Sequence, residues 1–139
     1  MTRIKYDASL MKLMTVFEQI TGTKVKDCFV DENGVTMFIV AETQIGRAIG
    51  RKGSNVRMLE KALNRKIKIV EFNPRIGEFI KNLIYPIIAK DIQENGDQVT
   101  ILGQDTASKG ILIGRNGKNL KNLTGIAKRH FPIQKIEVR

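Results

Sequence analysis

Ile49-Gly50-Arg51-Lys52-Gly53-Ser54-Asn55-Val56 sets two glycines three residues apart around two cations, and Ile113-Gly114-Arg115-Asn116-Gly117-Lys118-Asn119-Leu120 repeats the arrangement 64 positions later. The match spreads outward on the same shift. Gly46, Leu59 and Arg65 fall on Gly110, Leu123 and Arg129, and Val35-Thr36 falls on Val99-Thr100. Glu32-Asn33-Gly34 also matches Glu94-Asn95-Gly96 once two residues are inserted in the second copy. A self-similar period of this length marks one supersecondary unit present twice, so one pattern predicts two folds.

In the first copy, Leu10, Leu13, Met14, Phe17 and Ile20 recur at helical spacing, and Gly22 stands where a helix would end. Val25 to Val30 and Val35 to Val40 are rich in β-branched and aromatic residues and flank Asn33-Gly34, which predicts a hairpin with a tight turn. A short helical segment, 43–49, leads into the glycine pair. Val56, Leu59, Ala62 and Leu63 then mark one face of a helix, and Ile67, Ile69 and Phe72 predict a third strand. The second copy follows the same order. Pro74 opens a helix with Ile76, Phe79, Ile80 and Leu83 on one face, and Pro86 ends it. Strands are predicted over Ile87 to Ile92 and Val99 to Leu102, and a short helix over Ala107 to Ile113. A helix with Leu120, Leu123, Ile126 and Ala127 comes next, then a strand over Ile133 to Val138. Gly125 weakens that helix by about 1 kcal/mol relative to Ala.

The boundary falls at Asn73-Pro74, giving domains 1–72 and 73–139 with no Gly/Ser linker between them. Units so directly joined are expected to pack as one rigid body. Each, at roughly 70 residues, is near the lower limit for a self-sufficient core, so separate halves are expected to melt below the whole.

The 139 residues carry 24 Lys plus Arg against 14 Asp plus Glu, a formal charge of +10. One cysteine and one histidine cannot assemble a structural zinc site or an iron–sulfur cluster. No apolar run approaches the ~20 residues that span a bilayer, and Met1 to Leu10 lacks a signal-peptide profile, so a soluble, cytoplasmic protein is expected, with no membrane contact. An excess of positive charge attracts polyanions, of which nucleic acid and acidic membrane surfaces are the common ones. The charge is concentrated. Residues 47–68 hold eight basic side chains and one acidic, and residues 109–129 hold six basic and none acidic. Both stretches surround a glycine pair.

Glycines remove the Cβ atoms that hold a polymer backbone away and permit φ values other residues avoid. A helix starting just after such a turn points free N–H groups and the positive end of its dipole at whatever rests there, which suits a phosphate. Arg51, Lys52 and Arg115 add full charges. A lone Gly-x-x-Gly is equally a helix cap followed by a helix start; its recurrence at matched positions favours an anion site.

The extended pattern Ile-Gly-Arg-x-Gly-x-Asn-(Val/Leu), seen twice, resembles the signature of KH domains, which bind single-stranded nucleic acid. Helix and hairpin ahead of the signature are similar to the type II arrangement, and two copies in tandem resemble the archaeal NusA-like family of transcription termination factors. The resemblance implies an α+β fold of two tandem type II KH domains, each a three-stranded sheet packed on one side by three helices. It implies that Gly50, Arg51, Lys52 and Gly53, with Gly114, Arg115, Asn116 and Gly117, hold the sugar-phosphate backbone of RNA. Ile49 with Val56, and Ile113 with Leu120, would floor the groove for bases. Arg57, Lys118 and Lys121 either reach neighbouring phosphates or form a solvated basic face. Asn116 replaces Lys52, so the second clamp is expected to be electrostatically weaker. The bacterial relative's additional polymerase-binding domain and oligonucleotide-binding barrel do not fit in these residues, so direct polymerase contact is not carried over.

Other residues point to packing. His130, beside Phe131, is expected to cap or pack a helix end, Cys28 to be half-buried, and Met11, Met14, Met37 and Met58 to lie in or near the core. Asp91, Glu94, Asp97 and Asp105 bracket the second hairpin as solubilising acids rather than a nuclease site. No phosphate-binding loop of the nucleotide hydrolases and no dinucleotide fingerprint occurs. The expected protein is a non-enzymatic, monomeric binder of single-stranded RNA, without cofactor or metal, acting in transcription termination or antitermination and associated with the transcription elongation complex. Alternatives are a ribosome-associated or RNA-processing KH factor, and a polymerase interaction module with vestigial grooves.

Overall fold

Asp7 begins the first helix: its backbone is extended and its carboxylate accepts the Leu10 amide at 2.8 Å, satisfying one of the N–H groups a helix start leaves unpaired. This is α1 (Ala8–Thr21) of a computed structural model that describes residues 6–139. Gly22 closes it in the left-handed conformation, its amide donating to the Glu18 carbonyl. These residues fall into two compact units, 6–73 and 74–139, each holding one three-stranded sheet with helices, an α+β architecture. Among the described residues, no helix is long and apolar enough to cross a membrane.

In the first unit β1 (Val25–Val30) runs antiparallel to β2 (Thr36–Val40), and β3 (Ile67–Glu71) lies parallel to β2 on its other side. Between β2 and β3 come α2 (Ile45–Ile49) and α3 (Ser54–Leu63). The core joins Phe17 of α1, Ala48 of α2 and Leu59 of α3 to Cys28, Phe38 and Val40 of the sheet. Phe17 stacks on Phe38 with ring centroids 4.4 Å apart. All five residues of β2 are buried, including Met37 and Ile39, which alternate with the core-facing Phe38 and Val40.

The hairpin departs from the tight Asn33-Gly34 turn. Residues 31–35 form a longer loop in which the Asp31 carboxylate accepts the amides of Asn33 and Val35, both at 2.9 Å, and only Gly34 takes positive φ. A side chain that satisfies two backbone donors makes the five-residue loop a stable alternative to a two-residue one.

In the second unit α4 (Ile76–Ile84) buries Ile76, Phe79, Ile80, Leu83 and Ile84. β4 (Asp91–Asn95) and β5 (Gln98–Leu102) form the hairpin, and β6 (Lys135–Val138) runs parallel to β5. The hairpin loop is Gly96-Asp97. The first strand therefore begins four residues later than the apolar run Ile87 to Ile92 indicates. That run misleads because Ile88 is exposed, while β4 is an edge strand whose residues, apart from the partly buried Ile92, face solvent. α5 (Thr106–Ile113) and α6 (Lys118–Lys128) complete the unit.

Cys28 is fully buried rather than half-buried, and Met11 and Met58 are exposed rather than internal. His130 packs edge-on against Phe79, with centroids 5.9 Å apart, as the packing expectation has it.

Candidate nucleic-acid interface

Each glycine pair forms a single 3-10 turn between two helices, Arg51–Gly53 in one unit and Arg115–Gly117 in the other. Gly50 (φ 79°, ψ 169°) and Gly114 (φ 75°, ψ 173°) end α2 and α5, their amides donating to Gly46 and Gly110. Lys52 (φ 55°, ψ 31°) and Asn116 (φ 57°, ψ 27°) follow in the left-handed region, and so do Gly53 (φ 73°, ψ 20°) and Gly117 (φ 73°, ψ 15°). Positive φ thus recurs at three of four positions, and the two loops share one backbone conformation.

The paired glycines have different tasks. A Cβ on Gly50 would lie 2.9 Å from the Asn55 amide nitrogen, and one on Gly114 would lie 2.9 Å from that of Asn119. Backbone cannot yield there, so these glycines belong to the fold. A Cβ on Gly53 would meet only the end of Arg57 at 3.4 Å, and one on Gly117 would meet nothing within 4 Å. These second glycines leave open surface, where an external backbone can approach.

Two residues of the pattern hold the loop. Asn55 Nδ2 donates to the Arg47 carbonyl at 3.1 Å, and Asn119 Nδ2 donates to the Ile111 carbonyl at 2.8 Å. Each ties the start of one helix to an otherwise unpaired carbonyl of the helix before it. The recurrence of this asparagine was legible in the sequence; its role needed the fold. Arg57 donates from its guanidinium to the carbonyl of Lys52, bracing the left-handed residue. Lys121, at the matching position of the second copy, lines a groove instead.

Arg51, Lys52, Arg115, Asn116, Lys118 and Lys121 are all exposed, and none of the five cations among them forms an ion pair with a described residue. The helices they adjoin are also open. α1 and α5 have aspartate caps, Asp7 and Asp105, whereas α3 and α6 start at Gly53 and Gly117 with no capping side chain and no acid in the first turn. The partial positive charge of those helix ends remains uncompensated beside free cations. Lys68, by contrast, is partly buried in β3, and burial pushes its ammonium below the usual range against the opposing pull of Asp31.

A groove of about 450 Å³ opens from Gly117 along α6 to the edge strand β6. Leu120, Gly125 and Ile136 line it together with Lys121 and Lys128. Gly117, Leu120 and Lys121 are thereby brought together, while Ile113 lies outside the lining and is 36% exposed. In the first unit Val56 packs partly buried against the core, and Ile49 is partly buried at the end of α2.

The KH domain family matches residues 13–85, from α1 past the first loop to the residue after α4. The probable transcription termination protein NusA of Halococcus morrhuae is 30% identical over 138 residues, covering 98% of this chain and 99% of the relative. The protein of the same description from Methanocaldococcus jannaschii is 30% identical over 141 residues, covering 99% of this chain and 76% of its own. A crystal structure of APE1850 superposes with a TM-score of 0.76 at 32% identity, over 96% of this chain and 100% of that one. With more than half of its residues inside the family match and its relatives aligned along nearly its whole length, the chain belongs to the KH domain family and, within it, to the archaeal NusA-like proteins.

Proposed function

We propose that this chain is an RNA-binding transcription termination or antitermination factor whose two tandem type II KH domains each grip single-stranded RNA through a Gly-x-x-Gly clamp. The observation that carries it is the duplicated loop: open glycine surface, unpaired cations and an uncapped helix start coincide at Gly50 to Gly53 and again at Gly114 to Gly117. Each loop offers a phosphate N–H donors, dipole and charge at one spot. The names of the relatives support the link to transcription. Arg51, Lys52 and Arg115 neutralise phosphates, Gly53 and Gly117 admit the backbone, and Val56 and Leu120 floor the path of the bases. The task is binding, without a catalysed reaction. Two clamps on one chain make the second contact intramolecular, which raises its effective concentration.

The test is anisotropy of a labelled, unpaired oligoribonucleotide titrated with the wild type and with a variant carrying Arg51→Asp, Lys52→Asp, Arg115→Asp and Asn116→Asp. The wild type is expected to bind and the variant, folded by circular dichroism, to lose binding. Equal binding by the folded variant would remove the clamp mechanism.

A further inference from the structure

The two units differ most in how their last helix reaches their last strand. α3 passes into β3 through Asn64, Arg65 and Lys66, whereas α6 passes into β6 through residues 129–134, a connection twice as long. The longer connection folds around a cavity of about 470 Å³ lined by residues 128–134. Lys128 and Gln134 also line the groove that descends from Gly117, so groove and cavity meet at this pair.

The lining of the cavity suits an anion. Lys128 and Arg129 carry full positive charges, the His130 imidazole holds an N–H donor in either tautomer, and no acid lines the cavity. A helix end usually presents unpaired carbonyls that repel negative charge. Here the Arg129 amide donates to the Ile126 carbonyl at 3.1 Å, and the amides of His130 and Phe131 donate to the Ala127 carbonyl at 3.1 and 3.0 Å. Two of those oxygens are thereby occupied. Asp97 meets the connection through its backbone carbonyl, which accepts the Gln134 amide at 2.7 Å. Arg65, one repeat before Arg129, donates its guanidinium to Thr36 Oγ1 of β2 at 3.3 Å.

Resting on the RNA-binding reading above, we propose that the α6–β6 connection is a phosphodiester subsite beyond the groove, which in KH domains holds about four nucleotides. A strand leaving the groove passes Lys128 and Gln134 and sets its next phosphate in the cavity, where Arg129 and His130 meet it. The first domain, with a short connection and Arg65 engaged with Thr36, has no matching contact, so the second domain carries the longer footprint. The loop that lacks a second cation, with Asn116 at the place of Lys52, lies at one end of α6, and the cations at its other end offset that loss.

The test follows backbone amide shifts of the full chain with two oligouridylates, one of about four nucleotides and one of about eight. Gly117 and Lys118 should respond to both strands, and His130, Phe131 and Gln134 to the longer one alone. In Arg129→Gln, affinity for the longer strand, read from the Gly117 and Lys118 shifts, should fall roughly fivefold, the order of one charged contact, and its salt slope should flatten by about 0.7. Affinity for the shorter strand should stay as in the wild type. Pro132→Glu, at an exposed position that lines the cavity and not the groove, should give the same length-dependent loss and keeps the test open if Arg129→Gln fails to fold. A silent connection with the longer strand bound at Gly117, or equal affinity in both folded variants, would overturn the subsite. Equal shifts at the connection with both strands would mark a separate phosphate site and would overturn the continuous path. Silence at Gly117 and Lys118 with either strand would instead sink the RNA-binding reading beneath it.

Discussion

Gly50 and Asn55 stand so close that a Cβ on the glycine would lie 2.9 Å from the asparagine's amide nitrogen, and Gly114 and Asn119 repeat the relationship at the same distance. A tight turn is thereby locked to the helix that follows it.

The two glycines of each loop should therefore separate in their effects. Gly50→Ala meets both this contact and a φ/ψ pair (79°, 169°) that only glycine adopts comfortably, and should cost about 2 kcal/mol or more in denaturant unfolding. Gly53→Ala carries only the left-handed penalty, about 1 kcal/mol. Its larger effect should appear as a severalfold loss of RNA affinity. A larger stability loss at Gly53 than at Gly50 would reverse the assignment of tasks.

Asn55→Ala and Asn119→Ala each remove one side-chain donor from a helix-end carbonyl and should lower unfolding free energy by about 1 kcal/mol. Neither residue neutralises a phosphate, so the salt dependence of RNA binding should keep its slope in both variants.

Charge substitutions should change that slope. For single strands, log Kobs against log salt falls by about 0.7 per neutralised phosphate, so Arg51→Ala, Lys52→Ala and Arg115→Ala should each flatten it by about that amount. Asn116→Ala should leave it alone. Asn116→Lys, which installs the first loop's cation in the second, should steepen it and tighten binding at low salt. Titrations at several ionic strengths decide each case.

Asp105 offers a pH test. Its carboxylate accepts the Ser108 amide at 2.7 Å, and that hydrogen bond, with a second from the Ser108 side chain, holds its pKa below the ordinary aspartate range. A folded pKa lower than the unfolded one gives stability that is complete above the unfolded value and lost as pH falls through the folded one. The stability gap between wild type and Asp105→Ala should be full near neutral pH and shrink as acidification passes below the ordinary aspartate range. A gap that widens on acidification would contradict the capping role.

Much of this was legible because repetition is a property of sequence. The 64-residue shift superposes both glycine pairs, and the stripe Leu10, Leu13, Phe17, Ile20 marks α1 by its spacing alone. What escaped depended on neighbours distant along the chain. β4 carries almost no apolar signal because it is an edge strand facing solvent. Met11 and Met58 look internal because they are interleaved with other apolar residues, yet each lies exposed on its helix. The Asn33-Gly34 pair points to a tight turn, but the Asp31 carboxylate stabilises a longer one. Asn55 and Asn119 recur visibly, while their partners, the carbonyls of Arg47 and Ile111, are identified only once the helices are folded.

Backbone amide shifts in the ¹⁵N-labelled protein, followed as an unpaired oligoribonucleotide is added, test the duplicated clamp most directly. Both loops should respond, with the largest movements at Gly53, Ser54, Gly117 and Lys118, and the response should fade as salt is raised. Shifts confined to other surfaces, with both loops silent at low salt, would contradict the account.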